Sequence, residues 1–230
     1  MSVGMRIYNQ YPETDFDMVA RLARIPVANM YDVMGRIYSA DHSLKSMNGL
    51  PIAGAACTVK VAQGDNLGLH RALDICRPGD IIVVDGRGYT DRSLCGEQIY
   101  RYAMAKGIKG LVVYGAIRDL DGLQKLDFPV YACAAIPDGP YKNGPCEINV
   151  PICMGGVVVF PGDYIIGDED GILVVRPQDA PEVAAAGEHL MEIEVEKFTA
   201  LANGTPNKKW VMEKLQSMKY EILEKSYFAG

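Results

Sequence analysis

The chain has 230 residues, 49% of them hydrophobic and 23% charged, with a formal net charge of −6 and a pI of about 5.1. That composition supplies a full core and excludes a disordered chain. The acidic balance argues against nucleic acid as a main partner, because phosphate binding needs a basic face. No stretch approaches the roughly 20 apolar residues that cross a bilayer. The opening MSVGMRIYNQYPETDFD lacks the apolar segment of a signal peptide. A cytoplasmic protein with no membrane partner is therefore expected. The six cysteines contain no C-x-x-C pair and the three histidines lie far apart, a pattern of reduced thiols rather than structural zinc.

In chain order, Thr14-Asp15-Phe16-Asp17 reads as a helix start with Thr14 as cap, followed by apolar residues at helical spacing through Ile25. Pro26 breaks that helix and opens another toward Gly35. Ile52 to Val61 reads as a strand, and Gly64-Asp65-Asn66 leads into a short helix from Leu67 to Ile75. His70 on that helix reads as a packed histidine. Ile81-Ile82-Val83-Val84 is a β-branched run typical of a strand buried on both faces, and Leu111-Val112-Val113-Tyr114 is a second. Between them lie a predicted loop, Gly86 to Leu94, and a predicted helix, Cys95 to Lys106. Strand, helix and strand in so short a span form a βαβ unit with parallel strands.

A Gly/Pro-rich loop from Pro137 to Pro145 precedes three short strands, Val157–Phe160, Tyr164–Gly167 and Ile172–Val175. Pro161-Gly162-Asp163 echoes Pro78-Gly79-Asp80, which reads as two similar strand entries. Beyond Pro177 the chain is expected to be helical, from Ala180 to Leu201 and from Lys208 to Lys225. Residues 1–177 are expected to form the α/β domain and 178–230 a helical extension, which either packs on a neighbouring subunit or caps its own sheet.

In parallel α/β sheets, ligands collect at the carboxyl ends of strands, where loops meet helix N-termini. Two such ends are adjacent here, one carrying Gly96-Glu97-Gln98-Ile99 and the other Gly115-Ala116-Ile117-Arg118-Asp119. A helix N-terminus offers free N–H groups and partial positive charge to a carboxylate. Arg118 adds a planar, permanently charged fork for a carboxylate or oxo oxygen. Asp119 offers a hard oxygen ligand suited to Mg²⁺ or Mn²⁺, and Glu97 a second acid. Spacing alone leaves open that Arg118 and Asp119 are a solvated loop pair and that Glu97 merely favours the helix dipole.

Gly96-Glu97, followed after 20 intervening residues by Arg118-Asp119 within V-V-Y-G-A-I-R-D, resembles the signature of the RraA-like family. Gly64-Asp65-Asn66, Phe128-Pro129-Val130 and P-G-D-Y-I-I-G-D-E-D-G-I-L-V-V fit the same resemblance, which covers roughly Ile25 to Pro177. It implies a swivelling β/β/α layered fold with a C-terminal helical extension, a homotrimer or homohexamer, and sites at subunit interfaces. It further implies Arg118 as the pyruvyl-binding arginine, Asp119 as the metal ligand, and Gly96, Glu97, Gln98 and Ile99 as the segment receiving the substrate carboxylate. Asn66 matches a position near the cleft. Glu194 resembles an acid reaching in from a neighbouring subunit, with Glu192 and Glu196 as rivals. The aldolases of the family have Asp where this chain has Glu97.

The resemblance implies a divalent-metal-dependent lyase that cleaves a 4-hydroxy-2-oxo acid to pyruvate and a second oxo acid and also decarboxylates oxaloacetate. The family's alternatives are a non-catalytic protein-binding regulator of ribonuclease E and a lyase for a sugar-acid substrate.

Overall fold

The computed structural model describes residues 3–228, and by their internal contacts these divide into one unit ending at Glu188 and another beginning at His189. The first unit opens with helices α1 (Phe16–Leu22) and α2 (Val27–Val33), then strands β1 (Lys45–Ser46) and β2 (Ile52–Val61). Helix α3 (Leu67–Ile75), strand β3 (Ile81–Cys95), helix α4 (Glu97–Ala105) and strand β4 (Leu111–Ile117) follow. Next come the single turn α5 (Leu120–Leu123) and strands β5 (Val130–Ala135), β6 (Cys146–Ile148), β7 (Ile152–Met154), β8 (Val157–Val159), β9 (Tyr164–Asp168) and β10 (Gly171–Val175). Helix α6 (Ala180–Ala202) begins in the first unit, and the second also contains α7 (Lys209–Ser217). Among the described residues no helix is long and apolar enough to cross a membrane.

The main sheet runs β1-β5-β4-β3-β2-β9-β10, with β6 pairing the far end of β2. Its centre, β2-β3-β4-β5, is parallel, and its flanks are antiparallel. Alternation along the central strands divides the core into two layers. Ile82, Val84 and Val113 join Leu69 and Leu73 of α3 and Ile99 and Tyr100 of α4 on one face. Ile81, Val83 and Val112 face the opposite way and pack with Ile152, Met154, Val157 and Val159 of the β7–β8 hairpin. A strand apolar on both faces thus has helices on one side and β-structure on the other, a β/β/α layering.

Local differences from the sequence reading have physical causes. Asp15, not Thr14, caps α1, accepting from the Met18 N–H at 3.0 Å, because Thr14 Oγ1 bonds Asp80 Oδ1 at 2.6 Å. The span expected as a loop, Gly86 to Leu94, continues β3: Asp85 pairs with Tyr114, Tyr89 with Gly115, Ser93 with Ala116 and Cys95 with Ile117. Three register shifts let β3 run far more chain than β4 over the same length, a bulged excursion that turn-rich residues disguise. The last helix stops at Ser217, well short of Lys225.

The repeated Pro-Gly-Asp has the same construction twice. Gly79 and Gly162 adopt φ of +93° and +88°, β3 and β9 begin just beyond, and each Asp is buried against an arginine, Arg77 or Arg176. Asp80, fully buried, also accepts from Tyr11 at 2.7 Å and so ties the N-terminal segment to the sheet. Truncating one partner of a buried, hydrogen-bonded ion pair strands the other, so Asp80→Ala is expected to cost about 3–5 kcal/mol in urea unfolding. Glu13→Ala, which removes the solvent-exposed outer partner of the same Arg77, is expected to cost less than about 1 kcal/mol. Equal effects would show that Asp80 is not the anchor.

Candidate active site

The site forms where β3 and β4 end. Gly96 follows β3 in extended backbone, φ −155°, and serves as the N-cap of α4. Arg118 and Asp119 follow β4, and the Arg118 N–H bonds the Cys95 carbonyl at 2.9 Å, which locks the two strand exits together. Asp119 is left-handed at φ 61°, ψ 45°, a conformation Asp tolerates better than most residues but at some cost. That twist brings its Oδ2 to 3.0 Å from the Glu97 N–H, the first amide of α4. A carboxylate at the positive end of a helix is held by charge as well as by hydrogen bonding.

Gly96 makes the approach possible. A Cβ there would stand 2.2 Å from Asp119 Oδ2 and 2.9 Å from Arg118 Cγ. Its backbone is ordinary, so the requirement for glycine is steric. Arg118 Nε lies 3.6 Å from Asp119 Oδ2, too far for a hydrogen bond, and is buried with no acceptor. An orphaned donor of this kind costs about 1–3 kcal/mol, a penalty commonly carried at functional positions. The Arg118 carbonyl accepts from Tyr100 Oη at 3.0 Å, which fixes the backbone below the guanidinium.

These groups share a cleft of about 540 Å³ lined by Gly96, Gln98, Ile99, Arg118, Asp119 and Asn66. Six of the eight residues singled out from sequence therefore come together. Glu97 contributes its backbone N–H, but its carboxylate does not line this cleft. It pairs with Arg101, one turn on, at 2.7 Å and lies against Gly122, where a Cβ would meet Glu97 Oε2 at 2.2 Å. Glu194 sits in the second unit, on α6.

The expected cradle of four amides is partly occupied by the protein itself. Asp119 takes the Glu97 N–H and the Gly96 carbonyl takes that of Ile99 at 2.9 Å, which leaves Gln98 as the open amide in the first turn. Asn66 is buried, with Nδ2 donating to the Leu94 carbonyl at 2.9 Å, an orientation that makes Oδ1 the acceptor left unpaired.

Sequence reading missed His70, Asp74, Tyr102, Pro140 and Lys142, which with Leu73 and Cys95 complete the wall. His70 is at the cleft, not packed into the core. Its place one turn after Asn66 was the available signal, and Lys142 lies in the Gly/Pro-rich loop whose path no pattern predicts. Partial desolvation at the cleft wall, and secondly the nearby Lys142 ammonium, lower the His70 pKa from its ordinary value. Burial also pushes the Cys95 thiol up to about 12 and the Tyr100 phenol upward, so neither ionises near neutrality. A larger cavity, about 1060 Å³, lies elsewhere beside Tyr11, Asn149 and Arg176 and holds none of the candidate residues. The larger cavity lacks the convergence of charged groups on a helix end that marks the smaller cleft as the candidate site.

Two outcomes test this geometry. Gly96→Ala should force Asp119 and Arg118 apart and lower any activity of the site by about 100-fold or more, with a far-UV spectrum like that of the parent. Lys142→Met should raise the His70 titration midpoint seen by NMR, because removing a like charge favours the imidazolium; a fixed midpoint would place the two groups apart.

Comparison with known proteins agrees with the fold. The profile of the RraA-like family, described as Aldolase/RraA, matches residues 27–174. A Halalkalibacterium halodurans protein named "Putative 4-hydroxy-4-methyl-2-oxoglutarate aldolase" is 36% identical over 164 residues, 71% of this chain and 78% of that protein. The 4-hydroxy-4-methyl-2-oxoglutarate aldolase of Thermus thermophilus is 36% identical over 135 residues, 59% of this chain and 81% of its own. The solved structure of the RNA-processing inhibitor RraA from Thermus thermophilus superposes with a TM-score of 0.61 at 32% identity, covering 66% of this chain and 92% of that one. A family profile that spans residues 27–174, together with a relative 36% identical over 71% of the chain, shows that the chain belongs to the RraA-like family.

Proposed function

We propose that this protein is a divalent-metal-dependent lyase that splits a 4-hydroxy-2-oxo acid by retro-aldol cleavage into pyruvate and a second oxo acid, and that it also decarboxylates oxaloacetate. The observation that carries this reading is the meeting of Arg118, with its unpartnered buried Nε, and Asp119 on the amino end of α4 in one cleft. The names of the relatives support the substrate class.

The residues present fit one kind of ion. Among the described residues no three His, Cys, Asp or Glu side chains converge on a point, so a closed protein cage of the zinc type does not fit. Mg²⁺ and the similar Mn²⁺ fit, because Mg²⁺ sites commonly use one or two carboxylates and take the remaining ligands from water and substrate. Asp119 would hold the ion. Bound there, it supplies Lewis-acid stabilisation of negative charge developing on the substrate.

The chain's own residues then act as follows. The Arg118 guanidinium binds the pyruvyl carboxylate or oxo oxygen and stabilises the enolate charge as the C3–C4 bond breaks. The Gln98 N–H and the helix end hold the carboxylate. The proton leaving the C4 hydroxyl passes to a water, since burial disqualifies Tyr100 and Cys95 as bases near neutrality. Glu194 is assigned to orient that water by family resemblance, supplied across a subunit interface of the proposed homo-oligomer. Glu97 takes part once its pairing with Arg101 is exchanged. Protonation of the enolate carbon releases pyruvate. Oxaloacetate reaches the same enolate by losing CO₂, so one site serves both reactions.

A coupled pyruvate assay over 4-hydroxy-2-oxo acids and oxaloacetate, with Mg²⁺ or Mn²⁺ and with EDTA, tests the reading. Turnover should require metal. Arg118→Ala should lower kcat by about 10²–10³-fold, and Asp119→Ala should remove the response to metal. Release of no pyruvate from any of these acids would end the proposal. The likeness to the RNA-processing inhibitor supports a second reading as a protein-binding regulator, which capture of a ribonuclease by an inactive protein would favour.

A further inference from the structure

The loop from Pro137 to Pro145 roofs the cleft without belonging to any long element. It reaches the site at three points. Gly139 approaches Arg118 so closely that a Cβ there would stand 3.0 Å from Nη1, while Pro140 and Lys142 line the wall. A loop rich in glycine and proline has no ladder to keep it in place, so its position depends on tethers.

Those tethers converge on one segment, Gly64 to Asn66, and on the end of β3. The Tyr141 N–H bonds the Gly64 carbonyl at 2.8 Å, and the Asn66 N–H bonds the Tyr141 carbonyl at 3.0 Å. The Ser93 N–H bonds the Asp138 carbonyl at 2.9 Å, and Arg92 both donates to the Gly139 carbonyl and stacks over the Tyr141 ring at 4.2 Å. Asp65 is the centre of this set. It is 2% exposed, and its Oδ1 accepts from the Leu67 N–H at 3.0 Å, which secures the start of α3. Its Oδ2 accepts from the N–H groups of Asn143, at 2.5 Å, and Gly144, at 3.0 Å. One buried carboxylate thus joins the helix bearing His70 to the loop bearing Lys142, through hydrogen bonds of the charge-assisted kind.

We infer that Asp65, which does not itself line the cleft, is a positioning residue: its buried carboxylate holds the roof loop so that Gly139 seats on the Arg118 guanidinium and Lys142 stays on the cleft wall. This rests on the proposed function only for its kinetic consequence. Asn at this position keeps the size but has a single acceptor oxygen and no charge, so in either orientation its NH₂ group confronts at least one of the three backbone N–H donors. Removal of the charge therefore frees the roof while the sheet beneath keeps all its own bonds.

The test uses Asp65→Asn and, as a second release of the same loop from its outer side, Arg92→Leu. Hydrogen exchange of peptides spanning residues 137–145 should quicken about tenfold or more in both, with the central strands unchanged. Phenylglyoxal, mapped by mass spectrometry, should modify Arg118 several-fold faster than in the parent. KM for the cleaved acid should rise about tenfold with kcat changed far less, the pattern of lost substrate positioning in the bound ground state. Asp65→Glu, which keeps the charge, should recover part of that loss. Unchanged Arg118 labelling in Asp65→Asn would overturn the inference, as would a loosened roof with unchanged KM. Should Asp65→Asn fail to fold, Asp65→Glu decides: exchange of residues 137–145 and Arg118 labelling identical to the parent's would overturn the inference. If the parent protein cleaves none of the acids, the functional reading fails by itself, and exchange with Arg118 labelling still decides the role of Asp65.

Discussion

A carboxylate bound to the first amide of a helix, across a residue with no side chain, is the contact on which the site depends. Asp119 Oδ2 can reach the Glu97 N–H only because Gly96 leaves the space empty and because Asp119 itself accepts a left-handed backbone. Each condition is local and modest in energy, yet together they set the direction in which Arg118 leaves the strand. The helix end contributes its partial charge twice, once to Asp119 and once, through Gln98, to whatever enters the cleft. The arginine is left with an unsatisfied nitrogen, in a molecule whose buried polar groups are otherwise mostly paired.

The layers explain why this contact falls where it does. Parallel strands β3 and β4 share a register through their buried first halves, Ile82 with Leu111 and Val84 with Val113, so their exits fall side by side. Packing of α4 on the same face as α3 then points the amino end of α4 at the exit of β4. The opposite face, packed by the β7–β8 hairpin together with side chains of β9 and β10 such as Ile165, Ile172 and Val174, contributes no residue to the lining of the cleft.

Sequence made some of this plain and hid the rest for definable reasons. The β-branched runs at Ile81–Val84 and Leu111–Val113 announce buried parallel strands, and Gly96 with Arg118-Asp119 announces the meeting point, because close approach and fixed charge demand particular residue types. The continuation of β3 to Cys95 was illegible: Gly86, Gly88 and Asp91 carry turn chemistry, and only pairing with β4 makes that stretch a strand. The Glu97 carboxylate was expected in the cleft, since its helix position is right, but the competing Arg101 one turn on decides where it points. His70 and Lys142 were missed for opposite reasons, one lying on a helix face that looked packed, the other on a loop whose path depends on a buried acid far away in sequence.

The uneven pairing of β3 with β4 carries a consequence for how such a site diversifies. Between Asp85 and Tyr89, and again between Tyr89 and Ser93, the longer strand holds surplus chain that its neighbour does not match, and surplus of this kind can be lengthened, shortened or recoloured while the pairs at Tyr89 and Ser93 are kept. It leads directly into Gly96, the residue that lets Asp119 approach the end of α4. A lineage can therefore try new outer surfaces within one strand while the inner machinery stays untouched, an arrangement that suits a scaffold to acquiring new ligands by small insertions rather than by rebuilding its centre.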